Sequence, residues 1–210
     1  MKDIIVYDAE TKYLNTEVEG GWNNIFGMGI ATCVCYDYAK DLYNFFGDTE
    51  EEHIRLLDFL NGKIAVTFNG IHFDSQLLLG NDRTVNSKGV TSGSPFGKKI
   101  TFGNFDIYAE IWKGFFETDD VVDALKQQEA AKYLRRKNMW NLDTIAENTL
   151  GGTINKTGDG ADAPQKWKDC RMRELWEYNL ADTKCEKALF EFVRKYKYVV
   201  NGNYDIVKLR

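Results

Sequence analysis

Two acidic side chains follow a short apolar run near the start of the chain, and their position raises a question of charge. The run Ile4–Tyr7 is typical of a buried strand, and it leads directly into Asp8 and Glu10. Because side chains alternate along a strand, both acids share a face with Ile4 and Val6. An ionised carboxylate on an apolar face is costly unless it is paired, hydrogen-bonded or bound to a cation. These residues alone favour the explanation that the strand end opens to solvent, and a cation bound between the acids is the alternative.

Two further acids and a tyrosine stand at comparable positions. Asp74 follows the apolar run Lys63–Gly70 and opens a short helix, so taken alone it is most simply a helix N-cap. Asp182 interrupts the apolar face of a late helix, with Tyr178 one turn before it. That face comprises Leu175, Tyr178, Asp182, Cys185, Leu189 and Phe192. Four acids at inward or strand-end positions would repel each other without cations, and all-oxygen ligation favours Mg²⁺ or Mn²⁺.

Three sequence stretches, DAE, NGIHFD and YNLAD, occur in this order and contain these residues. They resemble the three exonuclease motifs of the DEDD superfamily, which has an RNase H-like fold and includes polymerase proofreading domains. The resemblance spans Ile4 to about Phe192. One branch of the superfamily has His five positions before the last Asp, where this chain has Glu177. The other branch has Tyr four positions before it, and Tyr178 fits, so the chain resembles the tyrosine branch, DEDDy.

The resemblance implies a 3′–5′ exonuclease that uses two Mg²⁺ or Mn²⁺ ions, about 3.5–4 Å apart in such sites. It would release nucleoside 5′-monophosphates from the 3′ end of single-stranded DNA or RNA. Asp8 would bridge both metals, and Glu10 and Asp182 would complete the site of the metal that activates water. Asp74 would hold the second metal through water, and Tyr178 would orient the attacking water. The candidate substrate-binding residues beside these are Thr11, Asn69, His72 and Phe73.

Basic residues that could guide a strand occur in three places. Basic side chains beside aromatic ones suit single-stranded nucleic acid, although charge runs at helix ends are more often solvated. Lys98 and Lys99 end a Gly- and Ser-rich segment that could be a flap over the substrate. The two other patches are Lys132, Arg135, Arg136 and Lys137, and then Arg194, Lys195 and Lys197 interleaved with Tyr196 and Tyr198.

Length and charge limit the class of protein. A chain of 210 residues with a net charge of −5 predicts one domain, 1–210, that does not bind nucleic acid through bulk charge. No run approaches the ~20 apolar residues of a membrane helix, and the N-terminus has no signal-peptide pattern, so we expect a cytoplasmic protein. Any polymerase or helicase partner would be a separate protein. The cysteines favour buried, reduced thiols over a zinc site; they are Cys33, Cys35, Cys170 and Cys185.

Hydrophobic periodicity predicts an α/β fold with a mixed five-stranded sheet flanked by helices. An antiparallel meander comes first and parallel strands follow, with strands at 3–13, 24–38, 41–48, 63–70 and 99–112. Thr49 and Glu52 form a capping-box pattern that opens the crossover helix, which ends at Gly62. Further helices are predicted at 73–79, 120–136, 142–150 and 167–196. The remaining segments are expected to be a loop or flap (80–98), a flexible loop (151–165) and a C-terminal tail or short edge strand (199–210).

Three other interpretations stay open beside the exonuclease. An inactive RNase H-like module would bind nucleic acid or protein without cutting it. A metal-dependent endonuclease of the same fold would share the acids but would give no reason for Tyr178. A purely structural domain would use the acids as helix caps and surface residues. Within the exonuclease interpretation, both DNA and RNA are compatible substrates, as are roles in repair, recycling, a virus or mobile element, and proofreading.

Overall fold

The chain forms one mixed sheet with helices on both faces. The structure is a computed structural model that describes residues 3–131, 139–152 and 160–209. Its sheet strands are β1 (Ile4–Thr11), β2 (Ile30–Asp37), β3 (Leu42–Phe46), β4 (Ile64–Thr67), β5 (Thr84–Val85), β6 (Val90–Gly93) and β7 (Ile100–Asp106). Among the described residues they are ordered β3-β2-β1-β4-β7-β6-β5. Strands β1, β4 and β7 run parallel to one another, and the neighbouring pairs at both sides are antiparallel. The predicted RNase H-like α/β class with a mixed sheet is confirmed, but the described sheet has seven strands and not five, because segment 80–98 adds β5 and β6.

Helices cover the two faces of the sheet with two separate apolar layers. The helices are α1 (Glu50–Leu60), α2 (Asp74–Leu79), α3 (Ile107–Phe115), α4 (Val121–Ala130), α5 (Leu142–Leu150), α6 (Ala163–Lys168) and α7 (Met172–Tyr196). Helices α1 and α2 pack on one face of the sheet, and α3, α5 and α7 pack on the other. The Thr49 hydroxyl accepts a hydrogen bond from the Glu52 N–H at 3.2 Å, which confirms the predicted start of α1.

The central strand β1 divides its side chains between these two layers. Ile5 and Tyr7 lie in the layer under α1 and α2, whereas Val6 lies in the layer under α7. Because side chains alternate along the strand, Asp8 and Glu10 point to the α7 face. This alternation is the local reason why residues from the two ends of the chain meet.

Several predicted elements are shorter than the sequence pattern suggested. The strand predicted at 63–70 ends at Thr67, because the tight turn around Asn69, with φ 66°, follows it. Strand β2 begins at Ile30 and not at Asn24, because residues 26–28 form a short 3₁₀ turn that Gly29 ends with φ 62°. The fifth predicted strand, 99–112, changes to helix after Asp106, whose carboxylate accepts hydrogen bonds from the first N–H groups of α3. The predicted helix 167–196 is two helices, α6 and α7, because Cys170 between them has φ 55°.

Three predicted loops or tails contain regular structure in their described parts. Segment 80–98 is not a free flap: it contributes β5 and β6, and β6 pairs with β7. Segment 151–165 is described at both ends only, and its last residues begin α6. The C-terminal segment forms a separate hairpin, β8 (Tyr198–Val200) with β9 (Ile206–Lys208), which packs against α3 and α5. The predicted helix 120–136 is described only to residue 131, and α4 ends at Ala130.

Three of the four cysteines are buried thiols, as expected. Cys33 and Cys35 lie side by side with their Sγ atoms 3.9 Å apart, and Cys185 is buried on α7. The expectation of burial is wrong for Cys170, which is exposed at the break before α7. Within the part of the chain that the structure describes, no cysteine belongs to a group of potential metal ligands. No described helix is both long enough and apolar enough to cross a membrane.

Candidate metal centre

The sheet opens at the end of β1, and this opening defines the site. Strand β4 pairs with β1 only from Ile4 to Val6, while β2 continues to pair with β1 as far as Thr11. Beyond Val6, none of the described residues forms a neighbouring strand on the β4 side of β1. The Ala9 N–H in this stretch donates instead to the Oδ1 atom of Asp74, at 3.3 Å. The gap between the diverging strands is thus lined by polar groups.

Three carboxylates converge on the α7 side of this gap. Asp8, Glu10 and Asp182 each offer an oxygen, and the three oxygens lie within 4.8 Å of one another. Glu10 and Asp182 are buried and Asp8 is half-buried. Negative charges at this spacing in a poorly solvated place repel each other strongly unless a cation lies between them. An all-oxygen donor set of this kind fits Mg²⁺ or Mn²⁺ better than zinc.

The position of Asp8 is fixed by an asparagine that the sequence analysis did not single out. The Asn179 side-chain amide donates to the Asp8 Oδ2 atom at 2.5 Å and to the Asp8 carbonyl oxygen at 3.0 Å. Its own oxygen accepts from the Thr32 hydroxyl at 3.3 Å. Asn179 is fully buried on α7 between Tyr178 and Asp182. Its place inside the YNLAD stretch, three residues before Asp182, is the signal that could have identified it, because residues three apart share a helix face.

Asp74 lies apart from this group of three and has a different environment. It is the first residue of α2, whereas Phe73 is the N-cap and has no side-chain capping bond, so the N-cap interpretation of Asp74 is wrong. The pKa of Asp74 is raised from 3.8 to about 7, mainly by burial and in smaller part by the nearby charge of Asp106. Hydrogen bonds from its own N–H and from the Ala9 N–H act in the opposite direction. Asp74 is therefore a buried acid that ionises with difficulty in the metal-free protein.

The turn that carries Asp74 is held by Asp106 at the end of β7. The Asp106 carboxylate accepts from the N–H groups of Asn69 at 2.8 Å and Ile71 at 2.9 Å. Burial raises the pKa of Asp106 to about 6, although these backbone donors lower it. The turn is tight: Asn69 has φ 66°, and a Cβ atom at Gly70 would lie 2.3 Å from the Thr67 hydroxyl. The Asn–Gly pair in the sequence thus serves the backbone geometry of the turn.

Tyr178 lies directly beside the three carboxylates. Its hydroxyl forms a hydrogen bond with Asp182. Burial is the largest cause that raises the pKa of this hydroxyl, and the charges of Glu10, Asp182 and Asp8 add to it. The hydroxyl therefore stays protonated and acts as a hydrogen-bond donor. The ammonium group of Lys166, on α6, lies 4.9 Å from the centre of the Tyr178 ring.

The candidate substrate-binding residues surround the site unevenly. Thr11 follows an irregularity in the pairing of β1 with β2 and is almost buried. His72 is exposed, and Phe73 is half-buried next to Asp74. The ring of Phe73 contacts Trp22 edge-on, with 6.4 Å between ring centres. Trp22 is 63% exposed, and the sequence analysis did not identify it.

Two of the three basic patches named from the sequence can be located relative to the site. The patch from Lys132 to Lys137 lies outside the described residues. Arg194 is twelve residues after Asp182, which corresponds to about 18 Å along α7. Lys98 forms an ion pair with Asp58 of α1, on the sheet face opposite α7. A lysine that does lie beside a site residue is Lys166, whose ammonium group lies 4.9 Å from the centre of the Tyr178 ring.

Comparison with known proteins supports the fold. Neither the protein-family models nor the curated proteins compared with this sequence match it. Among solved structures, the chain is similar to the family B DNA polymerase from the hyperthermophilic archaeon Pyrobaculum calidifontis, with a TM-score of 0.57 and 16% sequence identity. The similarity covers 91% of this chain and 24% of the polymerase chain, so this chain spans about a quarter of that protein's length. At this identity the similarity concerns the fold, which is one found within a nucleic-acid polymerase.

Proposed function

We propose that the chain is a two-metal 3′–5′ exonuclease of the DEDDy type that acts on single-stranded DNA or RNA. The observation that carries the proposal is the convergence of Asp8, Glu10 and Asp182, whose oxygens lie within 4.8 Å of one another. Two facts support it further. The three motif-like stretches occur in the order of that superfamily, and the fold is similar to part of a DNA polymerase.

The residues present fit two divalent cations. Asp8, Glu10 and Asp182 would hold them directly. Asp74 would contribute through water from the β4 side of β1, where it accepts a hydrogen bond from the Ala9 N–H. When bound, Mg²⁺ or Mn²⁺ would neutralise charge on the scissile phosphate and lower the pKa of the attacking water. A bound cation would also offset the mutual repulsion of these carboxylates.

The chain's own side chains orient the reactants. Asn179 holds Asp8 in one orientation through two hydrogen bonds, so this carboxylate is pre-positioned before any ligand binds. The protonated hydroxyl of Tyr178 is a donor that can turn from Asp182 to the attacking water. This arrangement gives Tyr178 a role that an endonuclease of the same fold would not need.

The aromatic pair of exposed Trp22 and half-buried Phe73 supports a single-stranded substrate. The pair stands beside Asp74 at the rim of the site. Bases of a single strand stack on exposed aromatic rings at about 1–3 kcal/mol each, and the bases of an intact duplex are not available for this. A separate polymerase or helicase that exposes frayed 3′ ends would be a compatible partner in repair or proofreading.

The proposal is tested with 5′-labelled single-stranded DNA and RNA oligonucleotides in the presence of Mg²⁺ or Mn²⁺. We expect a ladder that shortens from the 3′ end and is absent with Asp8→Asn. A circular single strand should stay intact, and its cleavage would indicate an endonuclease. A protein that binds metal but cuts neither substrate nor circle would support the inactive nucleic-acid-binding module. Absence of both metal binding and cleavage would favour the structural domain.

A further inference from the structure

A fifth acidic side chain, Glu186, lies next to the candidate metal centre and was not identified from the sequence. It is on α7, one turn after Asp182, and is 1% exposed. Its Oε1 atom accepts a hydrogen bond from the Phe68 N–H at 2.9 Å. Its Oε2 atom is buried, and the described residues provide no hydrogen-bond partner for it. A buried carboxyl group with one oxygen unused is unusual and calls for a role beyond simple packing.

Glu186 lies close enough to acids from three elements of the site for their charges to act on it. Burial is the largest cause that raises the pKa of Glu186 far above its usual value. The charges of Asp8, Asp74 and Asp182 raise it further, so the side chain lies among acids from β1, α2 and α7. A carboxyl group accepts a hydrogen bond from a backbone N–H in either protonation state, so the bond to Phe68 does not depend on the charge of Glu186.

The partner of Glu186 is the first residue after β4. Strand β4 ends at Thr67, and Phe68 begins the turn that leads to Asp74. From the β7 side, the Asp106 carboxylate accepts hydrogen bonds from the N–H groups of Asn69 and Ile71 in this turn. Glu186 holds Phe68 from the α7 side. The turn is therefore fixed between the helix that carries Asp182 and the strand that ends in Asp106.

We propose that Glu186 is a positioning residue that locks the Phe68–Asp74 turn to helix α7. The lock keeps Asp74 at a constant distance from Asp182 and Tyr178, which otherwise belong to separate elements. Only the effect of the lock on catalysis rests on the proposed function, because the lock itself is a hydrogen bond between Glu186 and the Phe68 N–H. A group misplaced by a fraction of an ångström at such a site lowers the rate substantially.

Two substitutions separate a positioning role from a ligand role. Glu186→Gln keeps an oxygen acceptor for the Phe68 N–H but cannot carry a negative charge. Glu186→Met has a similar length but no strong acceptor, so the Phe68 N–H loses its partner. Glu191→Gln is the matched control, because Glu191 is on the exposed face of the same helix, where it bonds Tyr38 and Lys187.

The first readout is hydrogen exchange of the peptide that contains residues 68–74, measured by mass spectrometry without metal. We expect Glu186→Gln and Glu191→Gln to show the protection of the unmodified chain, and Glu186→Met to exchange about 10- to 100-fold faster at Phe68. Unchanged protection in Glu186→Met would overturn the proposal. This readout needs no catalysis, so it tests the lock even if the chain proves not to be a nuclease.

The second readout is the exonuclease rate as a function of Mg²⁺ concentration. We expect kcat to fall about 10- to 100-fold in Glu186→Met and to stay within about 3-fold of the unmodified chain in Glu186→Gln, with similar Mg²⁺ requirements. If Glu186→Gln instead loses activity and needs much more Mg²⁺, Glu186 is a metal ligand and the positioning role is refuted. The unmodified chain would remain active in that case, so the proposed function would stand.

Discussion

The clearest test of the electrostatics of the site is the substitution Asp74→Asn in metal-free protein. Asp74 is 5% exposed, and its pKa is raised from 3.8 to about 7, mainly by burial. Between these values the folded chain binds more protons at Asp74 than the unfolded chain does. The free energy of unfolding must therefore fall as the pH rises through this window. Asn cannot ionise, so Asp74→Asn should remove this part of the pH dependence.

The size of the effect follows from the same two pKa values. An increase from 3.8 to about 7 corresponds to about 4 kcal/mol at full ionisation. We expect Asp74→Asn and the unmodified chain to differ little near pH 4. Near pH 8 the variant should be more stable by about 2–4 kcal/mol, the lower figure allowing for structural relaxation around the charge.

The assay is urea unfolding in EDTA at a series of pH values from 4 to 8.5. Asp82→Asn is the control, because Asp82 is an exposed aspartate outside the candidate metal centre. Addition of Mg²⁺ at pH 8 should stabilise the unmodified chain more than Asp74→Asn, because the cation offsets the charge. Parallel pH profiles for the unmodified chain and Asp74→Asn would refute the assignment of Asp74 as a buried, reluctantly ionised acid.

Four further substitutions test individual residues. Asp182→Asn should abolish metal-dependent cleavage and leave the metal-free melting temperature equal or a few degrees higher, because three close carboxylates become two; a clear fall would mean that Asp182 is structural. Tyr178→Phe should slow cleavage by about 10²–10⁴-fold, and an unchanged rate would remove its hydroxyl from the mechanism. Asn179→Leu should lower stability by about 2–4 kcal/mol and the rate by at least about 10-fold, because Asp8 loses two donors; equal kcat in Asn179→Leu and the unmodified chain would contradict this. Trp22→Ala should weaken the binding of a single-stranded oligonucleotide in Ca²⁺ by about 10-fold or more, whereas Trp22→Phe and the exposed control Tyr204→Ala should bind normally; equal Kd values for all four proteins would exclude Trp22 from the binding surface.

The alternation of β1 and the helical face of α7 were predictable because each depends on a simple period. Asp8 and Glu10 share one strand face with Val6, and Asp182 follows the three-four spacing of buried residues on α7. These two periods were enough to bring three acids to one place. The order of the antiparallel and parallel strands followed from the same reasoning, because strand and helix patterns alternate clearly in the first half of the chain.

The parts that sequence reasoning missed depend on contacts between distant elements. No periodic signal links Glu186 with Phe68, or Asp106 with Asn69, since each pair joins a side chain to a backbone N–H far away in the chain. The end of β7 was missed for a related reason: the apolar pattern continues through Asp106 into α3, and only the capping bonds of its carboxylate mark the change.

The position of a basic patch relative to the site could not be predicted from the sequence, because a cluster of charges in the sequence does not report where its helix lies. Arg194 follows Asp182 on the same helix, yet the helix carries it about 18 Å away. Lys166 lies beside the Tyr178 ring because α6 packs against α7. Lys166 is brought near the site by the break between α6 and α7 at Cys170, and the hydrophobic pattern of the sequence does not mark this break.

The central claim is that Asp8, Glu10 and Asp182 bind divalent cations, and a crystal grown or soaked with Mn²⁺ tests it most directly. Anomalous scattering of manganese locates the ion without any assumption about activity. The account predicts an anomalous peak within coordination distance of these three carboxylates, about 2.0–2.4 Å from their oxygens. It also predicts that this peak is absent from Asp182→Asn crystals soaked in the same way. A fully occupied Mn²⁺ elsewhere, with no peak between these acids, would contradict the account.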